Sequence, residues 1–353
     1  MNSREVFEPI IAATCEELAK NKSLLPLVPE FADTFNQFLV RDPFGIRKAI
    51  VPVFLEDSSG IYGMGTAFHV DGWGTFLSAA HIIHEARIKR PMKQPDIQAG
   101  WIKPELFEKR FFLLLGQGLA YGGGSGALAP VDRGYLVLNN SDKPLSDELE
   151  SLADIAALQL SPLPPPTMIS TLPVRLSGAL PLPGETVLAV GFPELACQPI
   201  DDINYFVSEG MYGAYGLVIK LHPKGMGAYG TNPTPVIEVE TNWRNGMSGG
   251  PVFNQRGDVI GIVSRGIGPD CENTGHESVP CFALMPWLRR FLPTVDPSNP
   301  GMRKGWAVIK FKPKHLAGFF PSEEAALSCA KSLGTDYQVI YGSNRIATDD
   351  FVF

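Results

Sequence analysis

The chain is short of several features that would each have named a class of protein. None of its apolar runs is long enough to cross a bilayer as a helix, which takes about 20 residues. The stretch after Met1 carries Glu5 and Glu8 early and lacks a continuous apolar core of signal-peptide length. Cysteines are few and unpatterned: Cys15, Cys197, Cys271, Cys281 and Cys329 are odd in number, irregular in spacing and contain no CxxC pair. That argues against a disulfide framework and against a zinc site. Cys271 and Cys281 flank a short loop and would pair only in an oxidising setting. Positive charge is scarce as well, with 30 Lys and Arg against 37 Asp and Glu and a formal net charge of −7. No nucleic acid is therefore expected as a partner, and the cluster Arg303, Lys304, Lys310, Lys312 and Lys314 reads as a solvated face. The glycines from Tyr121 to Gly126 have no Lys and no helix start behind them, so they make no phosphate cradle. The expectation is a reduced, cytoplasmic protein with no membrane association.

What the chain has in quantity points to β-structure. Its 353 residues suit two or three hydrophobic cores. Glycine (36) and proline (31) are both plentiful, which favours short strands joined by tight turns. Residues 3–20 read as a helix with Phe7, Ile10, Ile11 and Leu18 on one face. A second helical pattern after Pro29 takes in Phe31, Phe35, Phe38 and Leu39. From Ala49 the texture changes to β-rich runs at 50–55, 65–70 and 74–78, with Asp71-Gly72 as a hairpin signal. Residues 90–145 read as an irregular insertion. Strand-like runs resume at 155–160, 186–190, 217–221, 236–240, 251–253 and 259–264, and 285–292 looks like a closing helix. This divides the chain into a helical extension (1–45), a main domain (46–293), a proline-rich linker (294–303) and a small α+β unit (304–353). In that last unit the reading is β-α-β: strands at 306–311 and 338–341 flank a helix capped by Ser322 and stopped at Gly334.

Three segments carry candidate chemistry. In Gly246-Met247-Ser248-Gly249-Gly250-Pro251, glycines on both sides of a serine allow a tight turn that exposes its hydroxyl. The same turn can aim the amides of Gly246 and Ser248 at one point, an arrangement that stabilises an oxyanion. Read alone, the segment is more simply a glycine-rich loop with an incidental serine. A base for that serine should be a histidine, and His81 follows the buried run Phe76-Leu77-Ser78-Ala79-Ala80. His69 lies inside a strand. His84 and Glu85 next to His81 fall short of the HExxH arrangement, so no metal is expected. Asp154 leads directly into the apolar run Ile155-Ala156-Ala157-Leu158, where a carboxylate is costly unless it is paired. It can orient an imidazole or simply cap a strand.

Taken together, these segments resemble trypsin-like serine peptidases of the chymotrypsin class. Gly65-Thr66-Ala67-Phe68 with Leu77-Ser78-Ala79-Ala80-His81 is similar to their histidine motif, the Asp154 segment to their aspartate motif, and the Ser248 segment to their serine motif. Residues 183–193 look like the stretch after the aspartate in bacterial HtrA-type and related peptidases. Residues 258–266 look like the strand after the serine that pairs with substrate. The order His, Asp, Ser is that of chymotrypsin, and the likeness covers roughly residues 48–293.

The resemblance implies a mainly β fold of two antiparallel six-stranded barrels, with the catalytic triad His81, Asp154 and Ser248 between them and Gly246 and Ser248 as oxyanion donors. It implies an endopeptidase acting on protein or peptide substrates with no cofactor; a cytosolic protease must be restrained or narrowly specific, so a regulatory partner protein is expected. By the same resemblance Asn242 lies at the floor of the primary pocket, with Ser264, Arg265, Gly266 and Cys281 along its sides. An uncharged floor favours an uncharged P1 residue. A basic P1 would instead point to Asp270 or Glu277 reaching in. Three departures are visible. The gap from His81 to Asp154 is 154 − 81 = 73 residues, longer than is usual in the family. No PDZ module follows the domain, and Arg265 stands where many relatives have an aromatic. Arg47-Lys48-Ala49-Ile50-Val51 looks like an activation-cleavage site, but Met247 offers no carboxylate to a new N-terminus, so residue 50 should simply begin the first strand. Two rival functions remain: a silent binding module of protease shape, and an esterase using the same triad.

Overall fold

In a computed structural model, residues 37–40, 49–70, 73–85, 97–98, 101–102, 107–115, 127–138, 151–160, 174, 176–199, 205–225, 234–267, 275–285, 302–345 and 351–352 are described. The expected helix at 3–20, the Asp71-Gly72 turn, the 121–126 glycines and 294–301 of the linker lie outside them, as does 286–292 of the expected closing helix. Met302 and Arg303 of the expected linker begin a strand.

The first barrel grows from the β-rich texture that begins at Ala49. Strands β2 (Ile50–Asp57), β3 (Gly60–His69) and β4 (Thr75–Ser78) pair antiparallel in sequence. Branched and aromatic residues dominate them, and Ile50, Val51, Val53, Phe54, Phe68, Phe76 and Leu77 are buried. Next along the chain come β7 (Arg110–Leu115), β8 (Ala127–Leu138) and β9 (Ser151–Leu160). β7 pairs with β2, β4 pairs with β9, and β8 pairs with both β7 and β9, which closes a ring of six strands. A short hairpin, β5 (Ile97–Gln98) and β6 (Trp101–Ile102), hangs from β8. The segment read as an irregular insertion thus contributes two strands of the barrel itself. The run Phe111-Phe112-Leu113-Leu114-Leu115 is nearly all apolar, with Phe111, Leu113, Leu114 and Leu115 buried, so it lacks the polar alternation of a half-exposed strand.

The second barrel holds β10 (Thr186–Pro199), β11 (Tyr205–His222), β12 (Val236–Glu240), β13 (Pro251–Phe253), β14 (Val259–Ile262), β15 (Arg265–Gly266) and β16 (His276–Pro280). Their order is β14-β13-β10-β11-β12-β16-β15, and a bridge between Gly261 and Cys281 brings the ends together. One apolar cluster fills the first barrel and continues into the interface through Leu188, Val190, Phe253 and Ile262. A separate cluster of Val187, Ala189, Ile237, Val239, Trp243, Met247, Val279 and Cys281 fills the second. The fold is mainly β and of the chymotrypsin double-barrel kind.

Residues Gln37–Leu39 form strand β1, paired antiparallel with β11. This overturns the helical reading at Phe38 and Leu39. The open backbone of β11 offers these residues ladder hydrogen bonds, which local helical periodicity does not reveal. Ile50 begins β2 and is fully buried, with the Ala49 carbonyl accepting from the His69 amide at 2.8 Å. After β16 the chain makes a single 3₁₀ turn, Phe282–Leu284, which stops short of the expected helix start at Met285.

The C-terminal unit has the order β17 (Met302–Phe311), β18 (Lys314–Phe320), helix α2 (Glu323–Leu333), β19 (Gln338–Arg345) and β20 (Phe351–Val352). A short helix α1 (Ala80–His84) precedes it in the first barrel. Ser322 caps α2, its hydroxyl accepting from the Ala325 amide, and Gly334 follows the last turn. The β-α-β reading missed β18 and β20. Trp73, at the tip between β3 and β4, stacks on Phe319 at 5.4 Å and docks this unit against the first barrel.

Candidate active site

His81 lies in the first turn of α1, directly after β4, and Asp154 lies on β9, the neighbour of β4. That adjacency brings together two residues 73 apart in sequence. The His81 Nδ1 is 2.8 Å from Asp154 Oδ2, and the His81 backbone amide donates to Asp154 Oδ1 at 2.9 Å. Asp154 is only 5% exposed. Burial pushes its carboxyl up, but the His81 charge and hydrogen bond, the Ser264 hydroxyl and the His81 amide outweigh that and hold it well below the usual carboxylate range. The Ser264 hydroxyl donates to Oδ2, and the Arg265 Nε lies 3.9 Å away, on a side chain 59% exposed. Behind the site, the Asp154 amide donates to the Thr234 hydroxyl at 3.2 Å. His84 lies one turn further on. Burial holds its imidazole below the ordinary value, against the pull of Asp154, and among the described residues its buried Nε2 has no hydrogen-bond partner.

Ser248 sits on the loop between β12 and β13. Gly246 has φ +90 and Gly249 φ +83, in the left-handed region that side chains avoid. A Cβ on Gly249 would lie 2.1 Å from the Thr66 carbonyl, so no larger residue fits. The loop is fastened to the first barrel by Thr66. Its amide donates to the Ser248 carbonyl (2.9 Å), and its hydroxyl donates to the Gly246 carbonyl (2.9 Å) and accepts from the Phe192 amide (3.1 Å). Among the described residues, the amides of Gly246 and Ser248 have no acceptor. The Ser248 hydroxyl donates to the Ser264 carbonyl at 3.3 Å and makes no hydrogen bond to His81.

The predicted pocket residues are placed as follows. Asn242 is partly buried, its side-chain oxygen accepting from the Gly275 amide (2.8 Å) and its carbonyl accepting from the Gln37 side chain (3.0 Å). Ser264 faces Asp154, while Arg265 and Gly266 form β15 against β16. Cys281 is a buried free thiol in the second core, which burial pushes above its ordinary pKa. Among the described residues no three His, Cys, Asp or Glu side chains converge as metal ligands. Sequence reasoning missed the Ser264 bond to Asp154, the Thr66 clasp, Thr234 and Gln37. Hydroxyl and amide residues carry no mark of their distant partners. Thr66 stood inside a quoted motif without a role.

The trypsin-like peptidase domain model matches residues 65–262, more than half of the 353-residue chain. The chain belongs to this family of trypsin-like peptidases. Among solved structures it is similar to the HtrA-type protease AlgW with tripeptide, at 13% identity and TM-score 0.41 over 78% of this chain and 74% of that one. In another AlgW structure with tripeptide, at 13% identity and TM-score 0.40, the match covers 75% of this chain and only 65% of that chain's length. It is also similar to the Rv3671c protease from M. tuberculosis in its active form, at 15% identity and TM-score 0.39, over 73% of this chain and 86% of that one. No curated protein sequence matches it.

Proposed function

We propose that this protein is a serine endopeptidase in which Ser248 is the nucleophile, His81 the base and Asp154 the residue that orients it. The observation that carries this reading is the buried, ionised Asp154 bonded to both the ring and the amide of His81, beside a serine loop with two unsatisfied amides. An ionised carboxylate accepts, so the ring proton sits on Nδ1 and the Nε2 lone pair is left to act as base. Rotation of the Ser248 side chain from the Ser264 carbonyl toward Nε2 puts the hydroxyl in reach of that base, a movement that substrate binding favours. The hydroxyl oxygen then attacks the scissile carbonyl as its proton passes to His81. The Gly246 and Ser248 amides take up the negative charge on the carbonyl oxygen. His81 returns the proton to the leaving amine, and water hydrolyses the acyl-enzyme by the same route.

A fluorophosphonate probe should label wild-type protein at Ser248 and leave Ser248→Ala unlabelled. Wild type should hydrolyse a protein substrate as well as an activated ester. Absence of labelling would favour a silent binding module, and ester turnover without proteolysis would favour an acyl hydrolase. The reading extends to a cytoplasmic enzyme restrained by a partner protein. The compartment part of this reading is supported by the free thiols Cys281 and Cys329. Mapping new protein N-termini in cells carrying wild type or Ser248→Ala would identify the substrates and their compartment.

A further inference from the structure

Residues 242–248 carry the chain from β12 to the serine, and they are held at both ends. Thr66 fastens the far end, at Gly246 and Ser248. The near end is fastened by a segment that lies outside the expected protease domain. The Gln37 side chain, 1% exposed, donates to the Asn242 carbonyl at 3.0 Å across 205 positions of sequence. Two residues further on, the Arg244 guanidinium lies 5.6 Å from the centre of the Tyr212 ring. Tyr212 belongs to β11 and stands opposite Leu39 of β1 in the antiparallel register. The Val40 amide donates to the Met211 carbonyl at 2.9 Å and carries that pairing one residue beyond β1. β1 therefore supplies one anchor directly and lies against the strand that supplies the other.

These anchors act where the direction of the loop is decided. The Asn242 side-chain oxygen accepts from the Gly275 amide at 2.8 Å, and the Thr241 amide donates to the Gly275 carbonyl at 2.9 Å. That holds one side of the corner against the chain entering β16. Gln37 holds the Asn242 carbonyl from another strand, so the peptide plane entering Trp243 cannot turn without breaking a bond to a buried side chain. Trp243 and Met247 are buried in the second core, but apolar packing is non-directional and does not by itself fix a peptide plane. The Met247 amide donates to the Arg244 carbonyl at 3.1 Å, closing the turn that holds Gly246 and leads into Ser248. A rotation at Asn242 or Arg244 is passed on to the two amides proposed to hold the oxyanion.

We propose that Gln37 is a positioning residue for the serine loop. Through the Asn242 carbonyl, and with the Arg244 contact to Tyr212, β1 sets the conformation in which the Gly246 and Ser248 amides are presented. This rests on the peptidase reading above and deepens it. The residues before Ile50 then serve the site as part of the uncut chain.

The test uses full-length variants and two kinds of readout. Gln37→Met keeps roughly the side-chain length and removes the donor. It should lower kcat and the rate of fluorophosphonate labelling about 10-fold with KM unchanged, the worth of one hydrogen bond. Arg244→Met should lower both about 2–5-fold, the worth of an exposed cation–π contact, whereas Arg244→Lys keeps the cation and should stay near wild type. The double variant should lose less than the product of the two, because both side chains hold one end of one loop. Hydrogen exchange supplies a readout that needs no catalysis. The Met247 and Gly249 amides, which donate to the Arg244 and Val263 carbonyls, should exchange about 10-fold faster in Gln37→Met, with β12 and β13 unchanged. Arg244→Met carries the same test if Gln37→Met fails to fold. Wild-type exchange and labelling in both variants overturn the proposal. So does faster exchange spread evenly over the second barrel with a parallel fall in melting temperature, which marks general destabilisation. Local loosening of the loop in a protein that no fluorophosphonate labels would sustain the anchor and remove the peptidase reading. A labelled wild type with indifferent variants would do the reverse.

Discussion

At the scale of single residues, the site is a contest between burial and partners. Asp154 and Glu277 are both buried carboxyls, yet they are driven in opposite directions. Asp154 has an imidazole, an amide and a hydroxyl to hold its charge, whereas Glu277 has none of these among the described residues. Removing one of the three donors should be measurable. Ser264→Ala should lower kcat by about 10-fold through a less firmly held Asp154, with little change in KM. Stability should record the other carboxyl. With its pKa raised to about 8 from the ordinary 4.5, the Glu277 contribution is fully present below about pH 4.5 and is lost as pH rises through 8. Thermal melts of wild type and Glu277→Gln should therefore converge at pH 4. They should separate by pH 9 in favour of the glutamine variant, by on the order of a few kcal/mol.

Among elements, the most consequential contact is the clasp between β3 and the serine loop. Thr66 binds that loop through its amide and its hydroxyl together, so the first barrel helps set where Gly246 and Ser248 point. Thr66→Val keeps the amide bond and removes the two hydroxyl bonds, to the Gly246 carbonyl and from the Phe192 amide. The cost to folding should be about 1–3 kcal/mol. The rate of fluorophosphonate labelling should fall by more than stability alone accounts for, since the oxyanion geometry depends on Gly246. An unchanged labelling rate would mean the loop holds its shape without the first barrel. The strands of 107–138 show why the sequence under-reported that barrel. Period-2 alternation marks a strand with one wet face, and β7 is buried along most of its length.

On the scale of the whole molecule, material outside the two barrels is attached to them at defined points. β1 extends the second barrel, and the Gln37 side chain donates to the carbonyl of Asn242 at the start of the serine loop. Deleting residues 1–40 should lower the melting temperature and also slow turnover. Gln37→Ala should reproduce part of the loss in turnover with a smaller thermal effect. If both proteins behaved as wild type, the strand would be an ornament of the barrel. At the other end, Trp73→Ala removes the stack on Phe319 that docks the C-terminal unit. Limited proteolysis should then cut faster between Met285 and Met302, whereas an unchanged rate would show that other contacts hold the unit in place.

From the sequence alone, the family, the double-barrel architecture and the three candidate catalytic residues could be read. Each depends on short-range features: glycines flanking Ser248, small residues before His81, and an acid at the head of an apolar run at Asp154. Those features are encoded within a few positions and survive in a linear reading. The tertiary structure alone decided which strand residues 37–39 join, that 110–115 closes a barrel, that Ser264 serves Asp154, and that Glu277 is buried opposite Val239. Each of these is a pairing between segments far apart in the chain. The direction of a strand side chain follows from its register with its neighbours, and register exists only once the strands have met.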